Sequence, residues 1–329
     1  MSTAVEELFS IFDTSSILLR KELDVTYLEA LIETGDNLFE GAILQNGLHT
    51  STSERLQKVY DTFQNYKSED IRKAFQLCLL KGMKEGIQAN HEMTPDAVGI
   101  FLSYLFSKFL EGKKQISILD PAAGTANLLT TIFNTMEKET TVNGYAVEID
   151  DILVRLAYVN ANLQRHHMEF FHQDGLAPLY IDPVDAVVCD MPVGYYPNEE
   201  SAKKFSLRAE SGMSFSHHLF IEQGMKYAKE GGYLFFLIPN ALFESEQAKK
   251  LHTFLQETCY VQGVLQLPVS MFANEKHAKS IFILQKKGAS IQPPKQAMLV
   301  ELPKFTNRHA MENIMAQITR WFQDNKQAK

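Results

Sequence analysis

Cysteine is scarce: three in 329 residues, far apart at Cys78, Cys189 and Cys259, which is neither a disulfide framework nor a metal-ligand pattern. Glycine and proline number 17 and 11, too few for a linker-rich or collagen-like chain. No run approaches about 18 consecutive apolar residues, so no transmembrane helix is expected. The opening MSTAVEELFSIFD lacks the basic stretch and continuous apolar run of a secretory signal. Positive charge is also in deficit, 32 Lys and Arg against 40 Asp and Glu, a net charge of −8. A domain that grips duplex DNA unaided is usually basic, because neutralised phosphates supply most non-specific affinity. Net charge therefore gives nucleic-acid binding no support. The expectation is a reduced, cytoplasmic protein that does not enter membranes. Hydrophobic residues at 45% are enough to build a core, and the length suits about two domains.

Up to about residue 90 the pattern is helical, and a domain is expected over 1–90. Leu56, Val59, Tyr60 and Phe63 recur at three-to-four spacing, as do Ile71, Ala74, Phe75 and Cys78. Ser51 and Glu54 resemble a capping box. Leu23, Tyr27, Leu28, Leu31 and Ile32 predict another helix, stopped near Gly35, and Gly82, Gly86 and the polar run to His91 form the expected exit. From 91 to 329 the character changes. Thr94-Pro95 opens a helix, with Thr as N-cap and Pro at the first position. Seven apolar runs follow, at 116–119, 142–147, 168–171, 184–189, 233–238, 261–267 and 280–284, most of them separated by helical segments. This alternation predicts an α/β domain with a mostly parallel sheet covered on both faces. Only Pro268 to Lys279 separates the last two runs, too short for a crossover helix, so the last of the seven strands is expected to be antiparallel. A short strand near Met298–Val300 and a helix near Met311–Phe322 close the chain.

Chemistry collects at the carboxyl ends of these strands, where open α/β sheets bind ligands. The first strand ends at Asp120, followed by Pro121-Ala122-Ala123-Gly124-Thr125-Ala126-Asn127 and an apolar helix. One glycine and two small alanines let the backbone approach a nucleotide-like ligand, yet they fall short of a dinucleotide-binding GxGxxG. The second strand ends Glu148-Ile149-Asp150, placing an acid 24 residues beyond Gly124 where a ribose could be bound. The third ends Asp174-Gly175, an acid suited to an exocyclic amine. The fourth ends Asp190-Met191-Pro192-Val193-Gly194-Tyr195-Tyr196. His217-His218 has no Cys or acid partner at ligand spacing and reads as structural, and Trp321 reads as a packing anchor. No metal site is expected.

In this order the motifs resemble those of N6-adenine DNA methyltransferases, in particular the modification subunits of type I restriction systems and their small stand-alone relatives in Gram-positive bacteria. The resemblance covers about residues 92 to 287. It implies a Rossmann-like, seven-stranded methyltransferase sheet with a smaller helical N-terminal domain, and S-adenosylmethionine as cofactor. Cofactor contacts are implied for Asp120, Pro121, Ala122, Gly124 and Asn127 in the first loop, for Glu148 and Ile149 at the ribose, and for Asp174 and Gly175 at the adenine. Thr94 and Pro95 lie where the family meets the methionine end, and Asp190 borders the same site. Asp190-Met191-Pro192-Val193 aligns with the catalytic Asn/Asp-Pro-Pro-aromatic motif. Adenine N6 is a poor nucleophile because its lone pair is conjugated into the ring. The Asp190 side chain and the Met191 carbonyl could accept its two N–H bonds while Pro192 stiffens the turn. Met191 replaces the usual first proline and Val193 the aromatic that stacks on a flipped base. Tyr195 or Tyr196 could supply that platform from further on. DNA is thus the expected substrate, and a separate specificity or partner protein is implied by the lack of a target-recognition domain. An RNA or protein N-methyltransferase, or a non-catalytic cofactor-binding module, would show the same cofactor motifs.

Overall fold

The computed structural model describes residues 3–85, 93–137 and 139–326. They form two compact units, the first being the chain through Ser107 together with Ala123–Gln173, the second Lys108–Ala122 together with the chain from Asp174 onward. Four helices lead: α1 (Thr3–Leu23), α2 (Tyr27–Glu40), α3 (Thr50–Tyr60) and α4 (Ser68–Glu85). Then come α5 (Asp96–Phe109), β1 (Gln115–Asp120), α6 (Asn127–Thr135), β2 (Thr141–Glu148), α7 (Asp151–Leu163), β3 (Met168–His172) and β4 (Val184–Asp190). The chain closes with α8 (Glu199–Ala202), α9 (Ser216–Tyr227), β5 (Ala228–Pro239), α10 (Ala248–Thr258), β6 (Cys259–Gln266), β7 (Lys279–Lys286), β8 (Met298–Glu301) and α11 (Arg308–Lys326).

In the first unit, Leu8, Phe12, Leu31, Phe75 and Cys78 of the leading helices bury against Leu153, Leu156 and Val159 of α7. The break between α1 and α2 falls at Asp24, which has a left-handed φ of 54°. α2 then restarts on a capping box: the Thr26 hydroxyl accepts the Glu29 N–H while the Glu29 carboxylate accepts the Thr26 N–H. The sequence instead predicts a box at Ser51 and Glu54. There α3 is capped by His49, which makes no side-chain cap bond. Gly35, the expected helix stop, lies inside α2. A Cβ on it would come within 2.0 Å of Val159 Cγ1, so its lack of a side chain serves the close approach of α2 to α7. α2 ends at Gly41, with φ 68° and its N–H donated to Asn37 O. Gly82 is likewise a packing glycine, within α4 and against Leu28 and Tyr27. The rest of the expected exit, Gly86 to His91, lies outside the described residues. β2 and β3 pair in parallel, with Val147 opposite Phe171 and Glu148 opposite His172.

In the second unit, β1, β4 and β5 run parallel. β7 is antiparallel to both of its neighbours, β5 and β6, and β8 lies parallel to β6. Phe109 packs among Tyr233, Phe235, Trp321 and Phe322, with ring centroids 4.8–5.7 Å apart. The Trp321 indole N–H donates to Gln296 O at 2.7 Å, which makes it a packing anchor for α11.

The strands follow the order β3-β2-β1-β4-β5-β7-β6-β8. All seven apolar runs are strands, and the last of them is the antiparallel one. The sequence-expected short strand at Met298–Val300 joins the same sheet as an eighth, because its register with Gly263–Gln266 lets it cover the edge of β6. Chain direction across the sheet reverses at β1 and β4, the switch point whose carboxyl-end crevice suits ligands in open α/β sheets. Among the described residues no helix is long and apolar enough to cross a membrane.

Candidate functional site

The strand-end residues singled out in the sequence fall in both units, and each group has its own geometry. In the first unit Glu148 ends β2 and is buried. Its Oε2 accepts the Gly124 N–H at 2.8 Å, and its Oε1 accepts the Ile149 and Asp150 N–H groups at 2.8 and 3.0 Å. A carboxylate offers roughly four lone-pair directions, so about one is left for a ligand hydroxyl. Asp150 is the N-cap of α7, accepting the Ile152 and Leu153 N–H groups, so its role is structural. Ile149 beside it is 65% exposed, a large apolar side chain at the strand end.

The Gly124 loop is tightly wound. Gly124 and Ala126 have φ values of 54° and 56°, and Ala126 donates to Ala123 O at 2.8 Å. A Cβ on Gly124 would meet nothing within 4 Å, so the backbone there stands open to a ligand. Ala126 holds the left-handed conformation despite its Cβ, at a cost of about 1–2 kcal/mol. Thr94 is buried, and Pro95 O accepts the Val98 and Gly99 N–H groups as α5 begins. Asn127 opens α6 and donates from Nδ2 to Thr94 O at 3.3 Å.

In the second unit Asp120 is buried at the end of β1, and its Oδ1 accepts the Ala122 N–H at 3.1 Å. Gly175 lies so close to Pro121 that a Cβ would come within 1.9 Å of the Pro121 carbonyl oxygen. The adjoining Asp174 accepts the Leu176 N–H through Oδ1, and the Tyr196 hydroxyl through Oδ2 at 2.5 Å. Tyr196 is only 7% exposed, and burial together with Asp174 pushes its hydroxyl up to about 12. Asp190 ends β4, with Oδ1 2.7 Å from Lys279 Nζ. Met191 is buried and donates its N–H to Leu237 O.

The structure separates the two tyrosines named as base platforms. Tyr196 is tied to Asp174. Tyr195 and Val193 are each 55% exposed, and the Tyr195 ring stacks on Phe215 at 4.9 Å and 16°. Two hydrogen bonds hold this pair, Tyr196 N–H to Ser214 O and Ser216 N–H to Gly194 O, both 2.8 Å. Beneath lie His217 and His218, both buried and both lowered to about 4 by burial, so they are neutral at pH 7. The intervening segment is pinned: the Glu222 carboxylate accepts the Ser206 and Leu207 N–H groups at 2.9 and 2.7 Å. Among the described residues no cluster of three His, Cys, Asp or Glu side chains is arranged to hold a metal ion.

Lys279 and Phe215 were not legible as site residues. Lys279 opens β7, opposite Pro239 of β5, and β5 in turn pairs with β4 through Leu237 and Asp190. Only the strand order brings it to Asp190. Phe215 meets Tyr195 through a local antiparallel bridge that no short motif announces.

Two family models match the chain. Residues 6–83 match the model of the YtxK N-terminal helical domain, and residues 84–328 match that of the N-6 DNA methylases. An uncharacterized protein, YtxK, of Bacillus subtilis (strain 168) is 48% identical over 98% of both chains. A candidate class I S-adenosylmethionine-dependent methyltransferase of Listeria monocytogenes has a crystal structure that superposes with a TM-score of 0.91. It is 47% identical, across 98% of this chain and 100% of that one. A type I restriction-modification methyltransferase subunit of Streptococcus thermophilus shares the fold, with a TM-score of 0.64 and 14% identity over 94% of this chain and 74% of its own. S-adenosylmethionine is the cofactor that this family and fold imply. With its methylase model spanning residues 84–328, this chain belongs to the N-6 DNA methylase family and is an S-adenosylmethionine-dependent methyltransferase.

Proposed function

We propose that the chain methylates an exocyclic aromatic amine, with adenine N6 of DNA as the acceptor, and that Asp190 is the residue that activates it. The observation that carries this reading is the Asp190 carboxylate, fixed at the end of β4 by Lys279 and followed by the Met191-Pro192 turn. S-adenosylmethionine, when bound, supplies a methyl group on a positively charged sulfur. Asp190 accepts one amine N–H and the Met191 carbonyl accepts the other, drawing the nitrogen lone pair out of conjugation. With the cofactor bound, that nitrogen would take the methyl carbon while the carbon–sulfur electron pair stayed on sulfur, and the amine proton would leave to solvent. Orientation of this kind contributes much of the barrier lowering in group transfer.

Glu148 takes a ribose hydroxyl, Asp174 the cofactor's adenine amine, and Thr94, Pro95 and the Gly124 loop the methionine end. Tyr195, exposed and backed by Phe215, serves as the stacking face for the acceptor base, a contact typically worth about 1–3 kcal/mol. Tyr196 holds Asp174 in place. One observation favours a second reading, an RNA or protein nitrogen as acceptor: the chain's net charge of −8 opposes unaided binding to duplex DNA. A specificity partner that carries positive charge would remove that objection.

The test is transfer of radiolabelled methyl groups to unmethylated DNA, to RNA and to protein fractions, by wild type and by Asp190→Ala. Label in N6-methyladenine that disappears in the variant, with cofactor affinity unchanged, is the expected result. Near wild-type transfer by Asp190→Ala would overturn the catalytic role, and label confined to RNA or protein would overturn the acceptor.

A further inference from the structure

Arg72 lies in α4, ahead of the methylase portion of the chain, and its side chain is fully buried. Buried guanidinium groups are kept only where their donors are matched. Here the donors meet three acceptors, one each on α4, α5 and α6 of the first unit. Nη1 donates to Asn127 Oδ1 at 3.0 Å, and Nη2 to Asp96 Oδ1 at 2.5 Å. Nε and Nη2 together make a forked pair with Glu69 at 2.8 and 2.7 Å. Asn127 passes the link on, since its Nδ2 donates to Thr94 O. Glu69 also accepts from Asn134, further along α6.

We propose that Arg72 is a positioning residue for cofactor binding: it fixes the start of α6 and the Thr94–Asp96 turn to each other, so that the N-terminal helical domain sets the shape of the methionine end of the cofactor site. This rests on the cofactor assignment above. Neither the Gly124 loop nor the Thr94 turn holds its form by regular secondary structure, and Ala126 is in a conformation that its own side chain opposes. Such a loop needs an external brace. A planar five-donor fork can reach three acceptors at fixed angles, which a lysine ammonium cannot do. The segments so braced are those assigned to the methionine end, whereas Glu148, assigned to the ribose, is also held by the adjoining Ile149 and Asp150 N–H groups, which lie outside those segments.

The inference therefore separates two parts of one ligand. Calorimetric titration of the full-length protein would compare S-adenosylmethionine with 5′-methylthioadenosine, which keeps the nucleoside but lacks the amino-acid end. In Arg72→Met, S-adenosylmethionine affinity should fall about tenfold or more while 5′-methylthioadenosine changes less than about twofold. Arg72→Lys should fall between wild type and Arg72→Met. Lys81→Met, on the same helix as Arg72, breaks an ion pair to Asp13 of α1 and serves as a control that should leave both affinities unchanged. If Arg72→Met fails to fold, Asp96→Ala removes the same restraint from the turn side and should show the same selective loss at smaller size. Unchanged S-adenosylmethionine binding in a folded variant, or equal losses for both ligands, would overturn the positioning role. Failure of the wild type to bind either ligand would instead overturn the cofactor assignment, and this inference with it.

Discussion

The tightest approach in the site region supports a quantitative test. A Cβ on Gly175 would lie 1.9 Å from the Pro121 carbonyl oxygen. Ordinary carbon–oxygen contact is near 3.2 Å, so Gly175→Ala requires a separation of more than about 1 Å between two backbone segments. Neither can yield cheaply. Pro121 has its φ fixed by its ring and follows the buried Asp120, whose carboxylate also holds Ala122. On the other side, the Gly175 carbonyl accepts from the buried Gln223 amide at 2.8 Å. Overpacking a rigid site typically costs about 1–3 kcal/mol, and the upper end applies when the obstacle is backbone. At about 2–4 °C per kcal/mol for a unit of this size, Gly175→Ala should lower the Tm by about 6–12 °C. It should also weaken S-adenosylmethionine binding, because the displaced segments carry Asp120, Pro121 and Asp174. Gly35→Ala is the matched comparison. Its Cβ would meet Val159 Cγ1 at 2.0 Å, a clash with a side chain, and cofactor affinity should not change. Differential scanning calorimetry with and without cofactor reads both quantities. A Gly175→Ala protein with wild-type Tm and affinity would refute the claim that this glycine is present for clearance.

Tyr196→Phe removes the hydroxyl bonded to Asp174. The hydroxyl ionises near 12 in the folded protein and near 10 when unfolded, so its contribution is complete below pH 10 and is lost as pH rises towards 12. Burial also raises Tyr27, Tyr60, Tyr66 and Tyr233, so ultraviolet titration should show one fewer late-ionising tyrosine in Tyr196→Phe than in the wild type, and one shifted earlier in Asp174→Asn. His217 and His218 give the opposite dependence. Each binds a proton near 4 when folded and near 6.5 when unfolded, so folding stability is intact above pH 6.5 and falls by about 1.4 kcal/mol per histidine per pH unit down to 4. Urea melts at pH 7, 6 and 5 should show this decline, and a flat profile would refute the reading of two neutral, buried imidazoles.

The sequence carried the strands well because each is a short apolar run closed by turn residues, and the strand-end acids inherited their positions from those limits. The antiparallel seventh strand followed from twelve residues of connection. Helix ends were less legible. A glycine reads as a stop by itself, yet Gly35 and Gly82 are glycines because a neighbouring helix needs the space, which only tertiary packing reveals. The capping box lies at Thr26 and Glu29 of α2 and not at Ser51 and Glu54, since α3 starts at Thr50 with His49 as its cap. At the site, Asp174 and Tyr196 were each visible but not their hydrogen bond. Arg72 and Lys279 were invisible as site residues, because 55 residues separate Arg72 from Asn127 and 89 separate Lys279 from Asp190. Long-range charge pairing leaves no local signature.

The two compact units also impose an order in time. The first is complete once Gln173 has been made, whereas the second begins with β1 and cannot continue until the chain resumes at Asp174. A ribosome adds about 5–20 residues per second, so β1, with Ile116, Ile118 and Leu119 destined for the interior, waits several seconds for its partner β4. Asp120–Ala122 and Gly124–Asn127, neighbours in the chain, thus belong to bodies completed at different moments of synthesis.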